Sequence, residues 1–266
     1  MGFRDGLRER AFPLATLDPA APLDDLEPLL GLVGGARVVA LGESAHFCAE
    51  YNQARERLLR FLVERAGFDV FAFEYGFSEG FRHDAWLRGE TGGELDTTGE
   101  IPVGLEAPLR RMREHNLSAG FPVRFAGLDI PAAGGDLRPA LDPVAEYLGT
   151  VDPDALPLVN GALEIAGRFG GDGLTADTSG RDVYLASSVL WHLEHAGQDR
   201  CRGGQRRGRL RHRRPRSERG RLRGLPEAGA PDQIRVQSIF LHTPVAEAFD
   251  AVLHVPEATV EKGLDI

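Results

Sequence analysis

The chain has 266 residues, of which 42% are hydrophobic, and a formal net charge of -9 at pH 7. This length suits one sizeable domain or two small ones, and the acidic balance disfavours general nucleic-acid binding. No apolar run is long enough to span a bilayer, and the charged start MGFRDGLRERAFPL lacks an apolar signal core. With only Cys48 and Cys201, far apart and without metal-ligand spacing, we expect a cytoplasmic protein with neither a disulfide scaffold nor a zinc ribbon.

Three continuous apolar runs predict strands that are buried on both faces. They are ARVVALG at 36–42, FDVFAFEY at 68–75 and FPVRFAGLDI at 121–130. Helical patterns separate them, so the sequence predicts an α/β fold with a mostly parallel sheet flanked by helices. Helices are predicted over 24–35, within 43–67 with Gly67 as the C-cap, and over 81–89, 104–116, 139–150 and 182–197.

Polar residues follow each predicted strand at the point where it ends. Glu43 and His46 come after the first strand, Glu74 ends the second and Asp129 ends the third. Because ligands bind beyond the carboxyl ends of parallel strands, we expect these side chains to converge at one edge of the sheet. Asp129 could instead simply cap the segment that follows it.

The spacing of Glu43 and His46 places them on neighbouring positions of one turn. A neutral imidazole can take a proton from water, and a carboxylate can orient the ring and stabilise its charged form. Glu74 could supply that carboxylate or hold the attacking water. Arg55, nine residues after His46, reaches the site only if the helix begins a few residues after His46. There its guanidinium could stabilise an oxyanion or bind a substrate carboxylate. Otherwise His46 is an ordinary capping group and Arg55 a solvated helix charge.

A second nucleophile is conceivable, because GFSEG at 76–80 has the G-x-S-x-G pattern of a hydrolase elbow around Ser78. Asp129 with His192, His195 or His242 would complete a Ser-Asp-His order. Two observations oppose Ser78 as a nucleophile. Only one clear strand precedes the strand that leads to Ser78, and no HGGG-like oxyanion segment is present. Chance matches are common in a chain with 33 glycines.

The ordered series RVVALGESAH, QARERLLRFLVERAGFDVFAFEYGFSEG, WLRG, LRRMREHN and FAGLDI resembles the erythromycin esterase family. DVYLASSVLWHLEHAG and HTPVAEAFDAVLHVPEAT also resemble segments of that family. The resemblance implies hydrolysis of an ester, with a macrolide lactone as substrate and a role in antibiotic resistance. It implies His46 as the general base for water, Glu43 and Glu74 as orienting groups and Arg55 as a site residue. No metal or organic cofactor is implied, although a metal held by Glu43, His46 and Glu74 is also conceivable.

The chain departs from the family pattern after residue 199. The family continues there with a strand that carries further histidines, whereas arginine makes up about half of residues 200–223 here. A tract of like charges cannot bury a core, so we expect it to be solvated. We therefore predict an esterase-like domain at 1–199, an Arg/Gly-rich disordered or aberrant segment at 200–233, and a C-terminal family-like segment at 234–266.

Three interpretations of function follow from this departure. The first is an active esterase. The second is a catalytically inactive remnant, disrupted by a frameshift or deletion between about Asp199 and Gln233. The third is a nucleic-acid-binding module that acts through the arginines, which the net charge and the lack of interleaved aromatic residues disfavour.

Overall fold

The computed structural model describes residues 2–95, 101–118, 122–130, 138–168, 178–195, 230–236 and 239–262. The chain divides into two compact units, Met1–Phe68 with Arg209–Ile266, and Asp69–Gly208. Most of the segment predicted to be disordered or aberrant, residues 200–229, lies outside the described residues, so the predicted division into 1–199, 200–233 and 234–266 stays a prediction. Within the described ranges, no helix has both the length and the apolar character needed to cross a membrane.

The first unit is built on helix α3, Ala49–Glu64. One side of this helix faces inward: Ala54 and Leu62 are buried, and Leu58 packs against the apolar cluster that contains Leu62. Gly67, with φ of 75°, follows the helix in the left-handed conformation that glycine adopts without steric cost. The remaining elements of this unit are α1 (Phe3–Arg10), a 3-10 turn (Asp24–Leu29), α2 (Leu30–Val33), β3 (Gln233–Val236), β4 (Ile239–His242) and α9 (Val245–Ala248).

Two apolar clusters lie among the described residues of this unit. Leu23, Leu26, Phe61 and Leu62 form the larger one, between the 3-10 turn and α3. In the smaller one, Phe3 of α1 packs against Val245 of α9. Segments near the two ends of the chain therefore share one core.

The predicted strand at 36–42 is wrong. No strand is assigned over these residues, and Val38 and Leu41 are 51% and 46% exposed. Only Val39 of this run packs against the larger apolar cluster. A continuous apolar run forms a buried strand only where other strands bond to it and layers cover it, and in the described part of the chain no strand pairs with 36–42.

The second unit contains the small parallel sheet that the sequence predicts. Strands β1 (Val70–Gly76) and β2 (Arg124–Asp129) pair in parallel, with Phe71 opposite Phe125. Strand β2 lies within its predicted run, and β1 continues one residue beyond its own. The helices of this unit are α4 (Phe77–Leu87), α5 (Glu106–Ser118), α6 (Arg138–Val151), α7 (Leu156–Arg168), preceded by a 3-10 turn (Pro153–Ala155), and α8 (Thr178–His195). Strands β3 and β4 of the first unit form a separate antiparallel hairpin.

Close backbone contact fixes helix α4 against β2. A Cβ atom added at Gly80 would stand 2.6 Å from the backbone nitrogen of Gly127, which is closer than real Cβ contacts allow. Beside this contact, Asp84 of α4 is buried and accepts hydrogen bonds from the Arg124 side chain and the Phe125 backbone amide of β2. Over the residues described, the fold is a mixture of helices and strands that contains a small parallel sheet.

Candidate functional site

The turn before α3 brings together three of the four residues predicted for the site. His46 Nδ1 lies 2.8 Å from Glu43 Oε1, and Arg55 Nη1 donates to Glu43 Oε2 at 3.3 Å. Phe47 between them adopts a φ of 61°, which turns the chain sharply before the helix begins. The helix starts at Ala49, three residues after His46, so the condition for Arg55 to reach the turn is met.

The arrangement fixes which nitrogen of His46 carries the proton in the neutral ring. An ionised carboxylate can only accept hydrogen bonds, so Nδ1–H donates to Glu43 and Nε2 presents its lone pair. The His46 side chain is 51% exposed, whereas that of Glu43 is 29% exposed. The imidazole therefore offers a basic nitrogen from an accessible ring, held by a less exposed carboxylate.

Arg55 is held from two sides. Besides its bond to Glu43, its Nη2 donates to Asn52 Oδ1 at 2.7 Å, and its side chain is only 14% exposed. Burial lowers the pKa of the Arg55 guanidinium, and the charges of Glu43, Glu261 and Glu56 oppose that effect. Since an arginine stays protonated in proteins, it keeps a full positive charge against Glu43.

Two residues that the sequence did not single out join this cluster. Asn52 Nδ2 donates to Glu261 Oε2 at 2.7 Å, across 209 residues of chain. Asn52 lies three residues before Arg55 on the same helix, a spacing that places side chains side by side and could have indicated it. No local pattern indicates Glu261.

The C-terminal segment is bound to the start of α3 by backbone as well as side chains. Cys48 and Val260 form an isolated antiparallel bridge, and Thr259 bonds the Glu50 carboxylate through its backbone amide and its hydroxyl. Burial, together with the charges of Glu43 and Glu50, raises the pKa of the Cys48 thiol. Cys48 therefore stays a protonated thiol rather than a nucleophilic thiolate.

The fourth predicted residue, Glu74, lies in the second unit, on an exposed position of β1. Asp129 is buried at the end of β2, where its Oδ1 accepts the Ile130 backbone amide at 2.8 Å. This bond matches the capping role that was its alternative. Across the residues described, no group of three or more His, Cys, Asp or Glu side chains is arranged to hold a metal ion.

Ser78 occupies the first turn of α4, where its hydroxyl donates to the Glu79 carboxylate at 3.3 Å. His192 Nε2 lies 3.2 Å from the Gly127 carbonyl oxygen, and burial lowers the pKa of its imidazole. His195 Nδ1 lies 2.7 Å from the Trp191 carbonyl. These contacts give Ser78 a carboxylate neighbour and engage the two histidines of α8 with backbone oxygens.

Erythromycin esterases appear in each of three comparisons with known proteins. Residues 63–177 match the sequence model of the family described as Erythromycin esterase. Glu74 lies inside this match, and Glu43, His46 and Arg55 lie before it.

Two curated relatives and one solved structure carry the likeness further along the chain. Erythromycin esterase type II of Escherichia coli is 36% identical over 175 residues, which are 64% of this chain and 41% of that protein. Erythromycin esterase type I of Escherichia coli is 29% identical over 198 residues, 71% of this chain and 45% of that protein. A mutant of erythromycin esterase EreC in its open conformation is similar with a TM-score of 0.50 and 25% identity, covering 70% of this chain and 48% of that one. The chain thus spans less than half the length of these relatives.

Proposed function

Since this chain belongs to the erythromycin esterase family, we propose that it hydrolyses an ester bond in a small molecule, with a macrolide lactone as the substrate class. The observation that carries the proposal is the hydrogen-bonded series of His46, Glu43 and Arg55. In the neutral ring, the Nδ1 contact leaves Nε2 with its lone pair on an accessible imidazole, which is what water activation requires.

In the proposed reaction, His46 Nε2 takes a proton from water as the oxygen attacks the ester carbonyl. Glu43 stabilises the imidazolium that forms, because its Oε1 accepts the Nδ1 proton. The imidazolium then gives a proton to the departing alkoxide oxygen, which opens the lactone ring to a hydroxy acid. Attack is direct, so no covalent bond to Ser78 forms.

Arg55 and Glu74 have supporting roles in this proposal. The bonds of Arg55 to Glu43 and Asn52 favour a role in holding the Glu43 carboxylate over one in binding a substrate carboxylate. We assign Glu74 the orientation of the attacking water, on the basis of the family resemblance and its exposed position on β1. No metal or organic cofactor enters the reaction as proposed.

Mass spectrometry of a macrolide panel incubated with the purified chain tests the proposal. We expect a ring-opened product, heavier than the substrate by one water, from the parent chain, and a loss of about 10²–10⁴-fold in rate for His46→Ala. His254→Ala, which removes an exposed histidine of the C-terminal segment, is the matched control and should keep full turnover. Turnover that survives His46→Ala and is lost in Ser78→Ala would replace the water mechanism with a serine nucleophile.

A second candidate is an inactive remnant that binds such esters without cleaving them. The exposure of Val38 and Leu41 in the wrongly predicted strand favours it, because two apolar side chains of a family-like run remain open to solvent. Calorimetric binding of a macrolide by the parent chain, with no ring-opened product after prolonged incubation, would select this candidate.

A further inference from the structure

We propose that Asn52 and Glu261 are positioning residues of the candidate site, and that the C-terminal segment sets the proton position on His46. This inference rests on the proposed function. The observation behind it is one continuous series of hydrogen bonds: Glu261 to Asn52 at 2.7 Å, Asn52 to Arg55 at 2.7 Å, Arg55 to Glu43 at 3.3 Å, and Glu43 to His46 at 2.8 Å.

In this series, the donor or acceptor role of each group is determined by the group next to it. Arg55 has only donors, so the group it meets on Asn52 must be the amide oxygen. The amide nitrogen of Asn52 then faces Glu261, whose carboxylate can only accept. An asparagine is the side chain of this size that offers an acceptor to one partner and a donor to the other.

The consequence reaches His46 through Glu43. Arg55 holds Glu43 Oε2 while Asn52 holds Arg55, so the other oxygen, Oε1, stays directed at the imidazole. Without that restraint the Glu43 carboxylate can rotate away from the imidazole. The hydrogen bond that favours the proton on Nδ1 over Nε2 is then lost. A ring with the proton on Nε2 has no lone pair there to receive a proton from water.

The C-terminal segment is firmly enough attached to transmit this restraint. The Ala49 amide donates to the Thr259 carbonyl at 2.9 Å and the Glu261 amide donates to the Phe47 carbonyl at 2.8 Å. These bonds flank Cys48, which pairs with Val260, and place residue 261 in strand-like register with the turn. These backbone bonds fix the position of Glu261 independently of the bond between its side chain and Asn52.

The decisive experiment exchanges the donor and the acceptor of the hydrogen bond between positions 52 and 261. Asn52→Asp keeps the acceptor for Arg55 but puts a carboxylate against Glu261, so the series breaks there. Adding Glu261→Gln restores it, because the Gln amide nitrogen can donate to the carboxylate introduced at position 52, with the same total charge as the parent chain. Glu261→Gln alone keeps an acceptor for the Asn52 amide, so the proton should stay on Nδ1 of His46 in this variant.

Two readouts are measured on the full chain. Nitrogen NMR of the His46 imidazole, assigned by the signal that His46→Ala removes, reports which nitrogen carries the proton. Turnover of the macrolide panel gives kcat/KM. For Asn52→Asp we expect a shift toward the Nε2–H form and a fall in kcat/KM of about tenfold, the ratio expected for losing one hydrogen bond to a charged group. The double variant should recover both.

Glu257→Ala is the matched control. It removes an exposed carboxylate from the same segment but lies outside the series, so the imidazole signals and kcat/KM should stay unchanged. If Asn52→Asp does not fold, Glu261→Ala against Glu261→Gln tests the same bond: Ala should shift the imidazole proton and Gln should not.

The proposal is overturned if folded Asn52→Asp keeps the parent's imidazole signals, or if the double variant stays as impaired as the single one. Should the parent chain open no ester, the proposed function fails while the NMR comparison still decides this inference.

Discussion

The turn around Glu43 and the contact around Asp84 use the same chemistry for different ends. Each centres on a carboxylate that an arginine bonds, Arg55 in the first unit and Arg124 in the second. The Asp84 side chain is 2% exposed, and its oxygens accept from arginine side chains and the Phe125 amide. The Glu43 side chain is 29% exposed, and one of its oxygens meets an accessible imidazole.

This difference separates a structural carboxylate from a candidate functional one. The bonds to Asp84 come from groups whose protonation is constant near neutral pH, so its network serves to hold α4 on β2. Glu43 instead couples a fixed charge to a group that can gain and lose a proton. In this chain, the contact with a titratable and accessible side chain is what distinguishes the Glu43 pair from the Asp84 pair.

The largest effect should come from breaking the buried pair. Asp84→Ala leaves Arg124 without its principal partner inside the second unit and should lower the free energy of unfolding by about 3–5 kcal/mol. Urea unfolding followed by tryptophan fluorescence measures this, because Trp86 and Trp191 both lie in the second unit. Glu43→Ala, the matched change at the exposed carboxylate, should cost less than about 1 kcal/mol. Equal losses for the two variants would contradict the distinction.

A smaller, pH-dependent effect is expected at Asp25, which pairs with Arg57 on the face of α3 that packs into the core. Hydrogen bonding from Arg57 holds the pKa of the Asp25 carboxyl below its usual value. A carboxyl with a lowered pKa stabilises the fold above its unfolded pKa of about 3.9, and this stability is lost as pH falls through the folded pKa.

Asp25→Asn should therefore destabilise the first unit by about 1.5–3 kcal/mol at neutral pH, the range for a hydrogen bond to a charged group. The gap between parent and variant should close as the pH falls below about 4. Urea unfolding followed by circular dichroism at a series of pH values gives both quantities. A gap that is constant down to the most acidic sample would show that the ion pair does not contribute.

The smallest effect should follow from Arg55→Lys, which keeps the charge but loses the planar fork that reaches Glu43 and Asn52 together. We expect kcat/KM to fall about tenfold, equal to about 1.4 kcal/mol in transition-state stabilisation. Arg65→Lys, at an exposed arginine just beyond the same helix, should leave it unchanged. Identical kinetics for both variants would remove Arg55 from the site.

Local sequence patterns correctly predicted the features that depend on residues close together in the chain. Periodicity and short spacing predicted helix α3, the strands β1 and β2, and the nearness of Glu43 to His46. The strand predicted at 36–42 was wrong because an apolar run shows only that the residues suit a buried strand. It does not show whether a neighbouring strand is there to pair with it.

The part of the site that sequence could not supply is the bond between Asn52 and Glu261. The two residues are 209 positions apart, and neither belongs to a sequence motif from which the other could be predicted. Contacts of this kind depend on how distant segments pack, which the spacing of residues along one element does not encode. The prediction that Glu74 acts with His46 has the same character, since the two residues belong to different elements.

The long separation between Asn52 and Glu261 also has a consequence in time. A ribosome adds about 5–20 residues per second, so roughly 10–40 seconds pass between the synthesis of one partner and the other. Helix α3 can form during this interval, because its bonds are local. Under the proposed coupling, the His46 imidazole reaches its working state only after residue 261 has been synthesised and its side chain has bonded to Asn52.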